Sequence, residues 1–102
     1  MKFSPLTEST YYILLSLKET LHGYGIIKKV EKMSKGRVTL AAGTLYGALT
    51  TLERNKLIQS VGVDPDNKRR KLYEITDAGN KLLDFELERM IEMVENGRSY
   101  HD

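Results

Sequence analysis

Four consecutive cations are the clearest chemical feature of this sequence. Lys68, Arg69, Arg70 and Lys71 follow directly on a cluster of turn formers, Asp64-Pro65-Asp66-Asn67. Successive side chains of an extended strand alternate between its faces, so such a run cannot be buried and must meet water or an anionic partner. Arginine presents a fixed fork of donors that suits phosphate or a narrow minor groove. The run therefore predicts contact with DNA, and a solvated charge run is the alternative.

A second cluster of interest is the segment Ala42-Gly43-Thr44-Leu45-Tyr46-Gly47. Two glycines in one helical turn cost roughly 1 kcal/mol each relative to alanine, so another interaction should compensate. Small residues would let the free N–H groups of a helix N-terminus approach phosphate, and Thr44 and Tyr46 could contact phosphates or base edges. The alternative is a poorly formed turn with Tyr46 in the core. The predicted DNA contacts in this segment are Ala42, Gly43, Thr44, Tyr46 and Gly47.

Catalytic and metal chemistry find little support in the sequence. The chain has no cysteine, and His22 and His101 are its two histidines. Disulfides and thiolate sites are therefore excluded, and metal sensing is not expected. We find no candidate Ser-His-Asp set and no phosphate-binding glycine loop, so we predict no catalytic residue, no metal and no cofactor. His22, alone in a turn, is expected to be a capping or structural residue.

Size and charge distribution narrow the class of protein further. The chain has 102 residues and a net charge of +2, which suits one domain with a single core. Up to Leu83 there are 14 Lys and Arg against 8 Asp and Glu, whereas from Asp84 onward there are 2 against 6. A basic body suits a polyanion, and the acidic tail should point elsewhere. No stretch approaches the ~18 apolar residues of a membrane span and the start has no apolar h-region, so we expect a cytoplasmic protein without a membrane partner.

Apolar periodicity predicts four helices. Helix one should start at Ser4-Pro5 and keep its apolar stripe as far as Leu21, where the segment 22–25 interrupts it. Helix two should end with Gly36 as its C-terminal cap. The range 41–55 should form helix three, with leucines on one face.

The second half of the chain predicts a hairpin followed by the last helix. Two β-prone runs, 59–63 and 71–75, flank the turn formers and indicate a hairpin with a long basic tip. Thr76-Asp77 should cap helix four, which should end near Asn96-Gly97. The predicted fold is mostly α with a small β-hairpin, a winged helix-turn-helix plus a C-terminal dimerisation helix. The predicted divisions are a DNA-binding domain at 1–76, a dimerisation helix packed on it at 77–97 and a frayed tail at 98–102.

Helix four is more apolar than a helix packed on one small domain requires. The excess predicts a partner helix, most simply from a second copy, which would give a twofold homodimer suited to palindromic half-sites. A helix folded back over its own domain is the alternative. The predicted dimerisation residues are Leu83, Phe85, Leu87, Met90, Ile91 and Val94.

Aromatic and thioether side chains near helix four could also stack a flat apolar effector. The alternative is that the tyrosines belong to the core and reach solvent with their hydroxyls. The residues of this predicted effector pocket are Tyr11, Tyr12, Leu15, Leu87 and Met90.

Several spaced blocks resemble the PadR family of transcriptional regulators, in particular its short members with a single C-terminal helix. The blocks, in one order over nearly the whole chain, are His22-Gly23-Tyr24-Gly25-Ile26, Gly43-Thr44-Leu45-Tyr46, Leu57-Ile58, Arg69-Arg70-Lys71 and Ile75-Thr76. The resemblance implies a winged-helix dimer that represses genes for detoxification, drug efflux or phenolic-acid metabolism, and it adds Tyr24 to the DNA contacts. Gly47 departs from the proline of many members, and Met90 holds the place of a drug-stacking tryptophan.

The function expected from these features is sequence-specific regulation of transcription. The protein should bind duplex DNA, with a palindromic operator, as a homodimeric repressor that an aromatic or amphiphilic small molecule releases. The alternative is a winged-helix module that binds protein or RNA without operator specificity. Neutralising the run 68–71 separates the two, because DNA affinity should then fall for all sequences, whereas a protein interface on helix four should not change.

Overall fold

The computed structural model describes residues 3–101 and has the predicted winged helix-turn-helix architecture with a C-terminal helix. Met1, Lys2 and Asp102, which the predicted divisions include, lie outside the described residues. In chain order the elements are α1 (Glu8–Ser16), α2 (Gly23–Met33), α3 (Ala42–Arg54), β1 (Ile58–Asp64), β2 (Asn67–Ile75) and α4 (Asp77–Ser99).

One apolar core joins the first three helices, the base of the hairpin and the first turns of α4. Each helix supplies residues at helical spacing, so each buries one face and leaves the other in solvent. Burying such a side chain contributes roughly 1.5–3 kcal/mol, which fixes the position of α3 through its leucines. The buried aliphatic residues include Ile13, Leu14, Leu17, Ile26, Val30, Leu45, Leu49, Leu52, Leu82 and Leu83.

The predicted start of helix one at Ser4-Pro5 is wrong. The helix begins at Glu8, because Thr7 is its N-cap and the Thr7 hydroxyl accepts a hydrogen bond from the Thr10 N–H at 3.1 Å. The Ser4-Pro5 peptide bond is cis and precedes the helix.

The predicted extent of helix one to Leu21 is also wrong. Leu17 is the C-cap of α1, and Leu21 forms an antiparallel bridge with Tyr73 of β2 through two backbone hydrogen bonds of 2.9 and 3.0 Å. The Ile75 N–H donates to the Leu17 carbonyl at 2.8 Å. This segment therefore lies along the edge of the hairpin and ties it to the helices.

The segment 22–25 opens α2 instead of only interrupting a helix. His22 is the N-cap, and its Nδ1 accepts a hydrogen bond from the Gly25 N–H at 3.0 Å, as expected for a capping residue. At the other end the chain turns through Lys35 and Gly36, with φ of 54° and 82°. The Gly36 N–H donates to the Glu31 carbonyl at 2.8 Å, so Gly36 closes the helix in a Schellman motif one residue beyond its left-handed lysine.

The hairpin has a shorter tip than predicted. Asp64 pairs with Asn67, so the turn is Pro65-Asp66 and the cationic run lies within β2 itself. The register shifts twice, between Ser60 and Gly62 and between Val63 and Asp64, and the φ of Gly62 is 128°. Such a conformation favours glycine, and a bulge there bends the hairpin of β1 and β2, which is the wing of this fold.

The start of α4 agrees with the prediction. Thr76 is the N-cap, its hydroxyl accepts from the Gly79 N–H at 3.2 Å, and Asp77 lies in the first turn. A Cβ on Gly79 would lie 2.2 Å from the Leu57 carbonyl oxygen, so glycine allows this close packing. The helix ends at Ser99, beyond the predicted end, and includes part of the predicted frayed tail. Among residues 3–101, no helix is long and apolar enough to span a membrane.

Candidate nucleic-acid interface

The outer face of α3 carries all five DNA contacts that were predicted in the segment 42–47. Ala42, Gly43, Thr44, Tyr46 and Gly47 are exposed, while the leucines of the same helix lie in the core. The N-cap, at position 41, makes no side-chain capping hydrogen bond among the described residues. The first N–H groups of α3 therefore lack a side-chain acceptor, which is the condition under which a helix N-terminus can bind an anionic group.

Two exposed tyrosines extend this face onto α2. Tyr24 is 55% exposed and Tyr46 is 51% exposed. A Cβ on Gly23 would lie 2.5 Å from the Tyr46 hydroxyl, so the lack of a side chain at Gly23 allows Tyr46 to pack against the start of α2. The Tyr24 ring stacks on His22, with centroids 6.4 Å apart and planes 10° apart, and the Lys28 Nζ lies 5.3 Å from the Tyr24 ring centre. No sequence pattern indicates this role of Gly23, because the contact joins residues far apart in the chain.

The wing presents its cations to solvent. All four side chains of the run 68–71 are exposed. Within residues 3–101, no carboxylate forms an ion pair with Lys68, Arg69 or Lys71. Arg70 differs, because its Nη1 lies 4.0 Å from Asp64 Oδ2. Most of the positive charge of the wing is therefore available to an anionic partner.

Charge is divided unevenly between the wing and the helices. The range 42–52 of α3 contains no charged residue, whereas α2 carries Lys28, Lys29 and Lys32. Lys29 pairs with Glu19 at 2.8 Å, and the other two lysines are exposed. The outer face of α3 is thus neutral and lies between cationic neighbours.

A buried carboxylate, Glu86 of α4, holds the segment before α1 in place. Its side chain is 0% exposed and accepts hydrogen bonds from the Ser4 hydroxyl at 2.6 Å and the Leu6 N–H at 2.5 Å. Arg89 donates to the same carboxylate through Nε at 2.8 Å and Nη2 at 3.1 Å. These hydrogen bonds, chiefly those from Arg89, lower the Glu86 pKa to about 2 even though burial acts to raise it. Sequence analysis missed this residue, although it falls on the buried stripe of α4 after Leu82.

A family model for PadR-like transcriptional regulators matches residues 13–84. The chain belongs to the PadR-like family of transcriptional regulators. The match covers α2, α3 and the hairpin, which carry the interface described above. The family consists of DNA-binding transcriptional regulators.

Solved PadR-like structures share the fold. A PadR family transcription regulator from Clostridium difficile is 28% identical, with a TM-score of 0.70 over 89% of this chain and 97% of its own. A PadR-like transcription factor from Bacteroides fragilis is 26% identical, with a TM-score of 0.72 over 91% and 88%. BpsR of Bordetella bronchiseptica, whose DNA binding is regulated by 6-hydroxynicotinic acid, matches over 97% and 66% with a TM-score of 0.74, and its 18% identity shows the fold alone.

A sequence relative is longer than this PadR-like chain. A protein of transposon TN4556 from Streptomyces fradiae is 37% identical over 70 residues, which are 69% of this chain and 19% of that protein. The chain therefore spans about a fifth of the length of that curated relative.

In this PadR-like chain a groove of about 410 Å³ lies between α1 and α4. It brings together Tyr11, Tyr12 and Met90 of the predicted effector pocket, whereas Leu15 and Leu87 are not among its lining residues. Burial, together with the charges of Tyr12 and Glu86, raises the pKa of Tyr11. The other lining residues are Leu6, Thr7, Glu8, Glu86, Arg89 and Met93.

The predicted dimerisation residues divide into two groups. Leu83 is only 3% exposed and belongs to the core of its own chain, so its side chain cannot meet a partner. Met90 is half-buried. The others, Phe85, Leu87, Ile91 and Val94, are exposed, as is every described residue of α4 after Met90.

Proposed function

We propose that this PadR-like regulator is a repressor that binds a palindromic DNA site as a homodimer, with α3 in the major groove and the hairpin along the backbone. The observation that carries the proposal is the exposed, uncharged face of α3 beside the exposed cationic run of β2. In a winged helix-turn-helix the second helix of the motif reads base edges, and basic side chains on the flanks position it on the phosphates.

Each part of this surface has a separate task. Thr44 and Tyr46 present hydroxyls that contact base edges or phosphates. Ala42, Gly43 and Gly47 are small, so they allow α3 to approach the DNA closely. Tyr24 extends the contact from the start of α2. The cations of β2 neutralise phosphates whatever the sequence, and they release counterions.

Selection of DNA from a random duplex pool tests the proposal. Affinity is then measured for a selected duplex and for a scrambled duplex of equal composition at several KCl concentrations. A sequence-specific regulator binds the selected duplex on the order of 10³-fold or more tightly, and both affinities fall with salt. Equal, weak affinity for both duplexes would contradict operator recognition and favour the alternative of a protein- or RNA-binding module.

The homodimer is proposed from the free part of α4. The last 10 residues of this helix, 90–99, would extend about 15 Å at 1.5 Å per residue, and the exposed apolar residues lie on and beside them. Monomeric proteins rarely leave such a surface uncovered, and a second copy of α4 is the simplest cover. The proposed contact set is Phe85, Leu87, Met90, Ile91 and Val94.

Light scattering during size-exclusion chromatography measures the dimer directly. The wild-type mass should be twice that of one chain. Ile91→Glu should give a monomer, because a charge would be buried at the interface. Lys81→Glu is the control, since Lys81 is exposed on the same helix ten residues before Ile91. A wild-type monomer, or equal effects of both substitutions, would overturn the dimer.

The groove between α1 and α4 is the proposed effector site. Tyr11, Tyr12 and Met90 offer aromatic faces and a thioether, which suit a flat aromatic compound. A panel of such compounds is to be tested for release of the selected duplex from wild-type protein and from Met90→Ala. Release that the substitution weakens supports the site, and release unaffected by it points elsewhere.

A further inference from the structure

A carboxylate stands in the middle of the cationic wing. Asp64 is the last residue of β1, paired with Asn67 directly before the run of cations in β2, and its side chain is largely buried. Its Oδ2 lies 4.0 Å from Arg70 Nη1 and 3.9 Å from His22 Nε2. An acidic group so close to a phosphate-binding surface opposes binding to any DNA sequence, so its position calls for a compensating role.

We propose that Asp64 is a specificity-determining residue, which orients Arg70 against the start of α2 and thereby sets the wing for one DNA geometry. The inference rests on the proposed function, since it takes Arg70 to contact DNA.

His22 makes the junction rigid. Its Nδ1 accepts the capping hydrogen bond from Gly25, so the proton of the neutral ring lies on Nε2, the atom that faces Asp64. Arg70 Nη1 lies 3.5 Å from the same Nε2. One oxygen of the Asp64 carboxylate therefore has the His22 Nε2 and the Arg70 guanidinium within 4.0 Å, so Asp64 lies where the wing meets the residue that caps α2.

The other oxygen of Asp64 fixes the hairpin turn. Oδ1 accepts a hydrogen bond from the Asp66 N–H at 2.9 Å. Asparagine could keep this bond and the side-chain volume while it removes the charge that holds Arg70. Tyr24, a proposed DNA contact, stacks on the other partner, His22. Loss of the carboxylate charge should therefore loosen the relative position of Arg70 and Tyr24 without unfolding the turn.

The consequence is opposite for the two kinds of DNA. Removal of a negative charge near phosphates should strengthen binding to a scrambled duplex, by about fivefold for one charge a few ångströms from its partner in water. Binding to the selected duplex should stay the same or weaken, because Arg70 is no longer preoriented. The ratio of the two affinities should fall by at least about fivefold.

Asp64→Asn and Asp66→Asn form a matched pair. Both remove one negative charge from the hairpin turn, and the Asp66 side chain is exposed and outside the network. Asp66→Asn should raise both affinities together and leave their ratio unchanged. In an Arg70→Ala background, Asp64→Asn should no longer change the ratio. Equal effects of the two asparagine substitutions on the ratio would overturn the inference, because they would reduce Asp64 to a general repulsive charge.

A measurement on the free protein separates this inference from the proposed function. The ¹⁵N heteronuclear NOE of the Arg70 Nε–H should fall in Asp64→Asn and not in Asp66→Asn. An unchanged NOE in both variants would overturn the positioning role even if the wild type selects DNA. A wild type without sequence preference would instead contradict the proposed function, while the NOE would still decide whether Asp64 orders Arg70.

Discussion

The outer face of α3 and the wing differ in charge, although both belong to the proposed DNA-binding surface. The range 42–52 has no charged residue, its N-terminus has no side-chain cap among the described residues, and its exposed residues are small or hydroxylated. The wing carries four consecutive exposed cations. In the proposed function the first surface distinguishes base edges but attracts DNA weakly, and the second attracts any DNA without distinguishing sequence. Substitutions in α3 should therefore change mainly the preference for one DNA sequence, and substitutions in the wing should change mainly the affinity for any DNA.

The largest expected effect comes from the wing. Lys68→Gln with Arg69→Gln should weaken binding to selected and scrambled duplexes alike, on the order of 10²- to 10⁴-fold at low salt, because two phosphate contacts are lost in each protomer of the proposed dimer. The slope of log affinity against log salt should fall by about 4. Fluorescence anisotropy over a KCl series measures both quantities.

Lys81→Gln with Arg98→Gln is the control for that pair. It removes the same charges from α4, away from the hairpin, and should leave the slope unchanged. If the wing variant lost affinity for the selected duplex alone, the division of tasks between wing and α3 would be wrong.

The proposed division of tasks between α3 and the wing assumes that DNA preference does not depend on the contacts of Glu86. A substitution of Glu86 tests this assumption. Its folded-state pKa of about 2 lies below the usual 4.5. Stability from the ionised carboxylate is therefore present above about pH 4.5 and is lost as the pH falls toward 2. Glu86→Gln should lower stability at pH 7 by about 2 kcal/mol, since buried hydrogen bonds to a charge are weakened, and the loss of stability in acid should become shallower.

Urea unfolding between pH 2 and 7 measures this prediction. Glu88→Gln is the matched control, because Glu88 is exposed on the same helix. At pH 7 the folded fraction of Glu86→Gln should still bind both duplexes with unchanged preference. An acid dependence identical to that of the wild type would show that Glu86 does not hold the segment before α1 in its charged form.

The helices and the hairpin could be predicted from sequence because their signals lie in neighbouring residues. The long-range contacts of Glu86 and Gly23 could not be predicted in this way. The leucines of α3 recur at helical spacing, and Thr76 precedes Asp77 as a capping pair, so neighbours in the chain carry both signals. The contacts of Glu86 with Ser4 and of Gly23 with Tyr46 join distant positions, so no periodicity reveals them. The start of α1 was misplaced because Leu6 continues the apolar pattern while its N–H is bound by α4.

The contact between Gly23 and Tyr46 offers a smaller and more selective test. Gly23→Ala would place a Cβ 2.5 Å from the Tyr46 hydroxyl, so the ring must move. Affinity for the selected duplex should fall about tenfold, the value of one lost base or phosphate contact, and affinity for the scrambled duplex should change little. Gly25→Ala is the control, because its Cβ meets Leu21 at 3.3 Å and leaves Tyr46 in place. Equal losses for both variants would remove Tyr46 from the selective surface.

The smallest expected effect is at Gly47, where stability and binding should respond in opposite directions. Apart from its chain neighbours and the adjacent backbone of α3, no described atom lies within 4 Å of a Cβ built on Gly47, and the residue is exposed within α3. Alanine should therefore stabilise the helix by about 0.5–1 kcal/mol and raise Tm by a few degrees. Affinity for the selected duplex should nevertheless fall about threefold, because the added methyl group holds α3 away from the groove. Calorimetry and anisotropy on the same variant measure the two effects. If alanine raised stability at no cost in affinity, the glycine would have no part in the approach to DNA, and the selective surface would reduce to Thr44 and Tyr46.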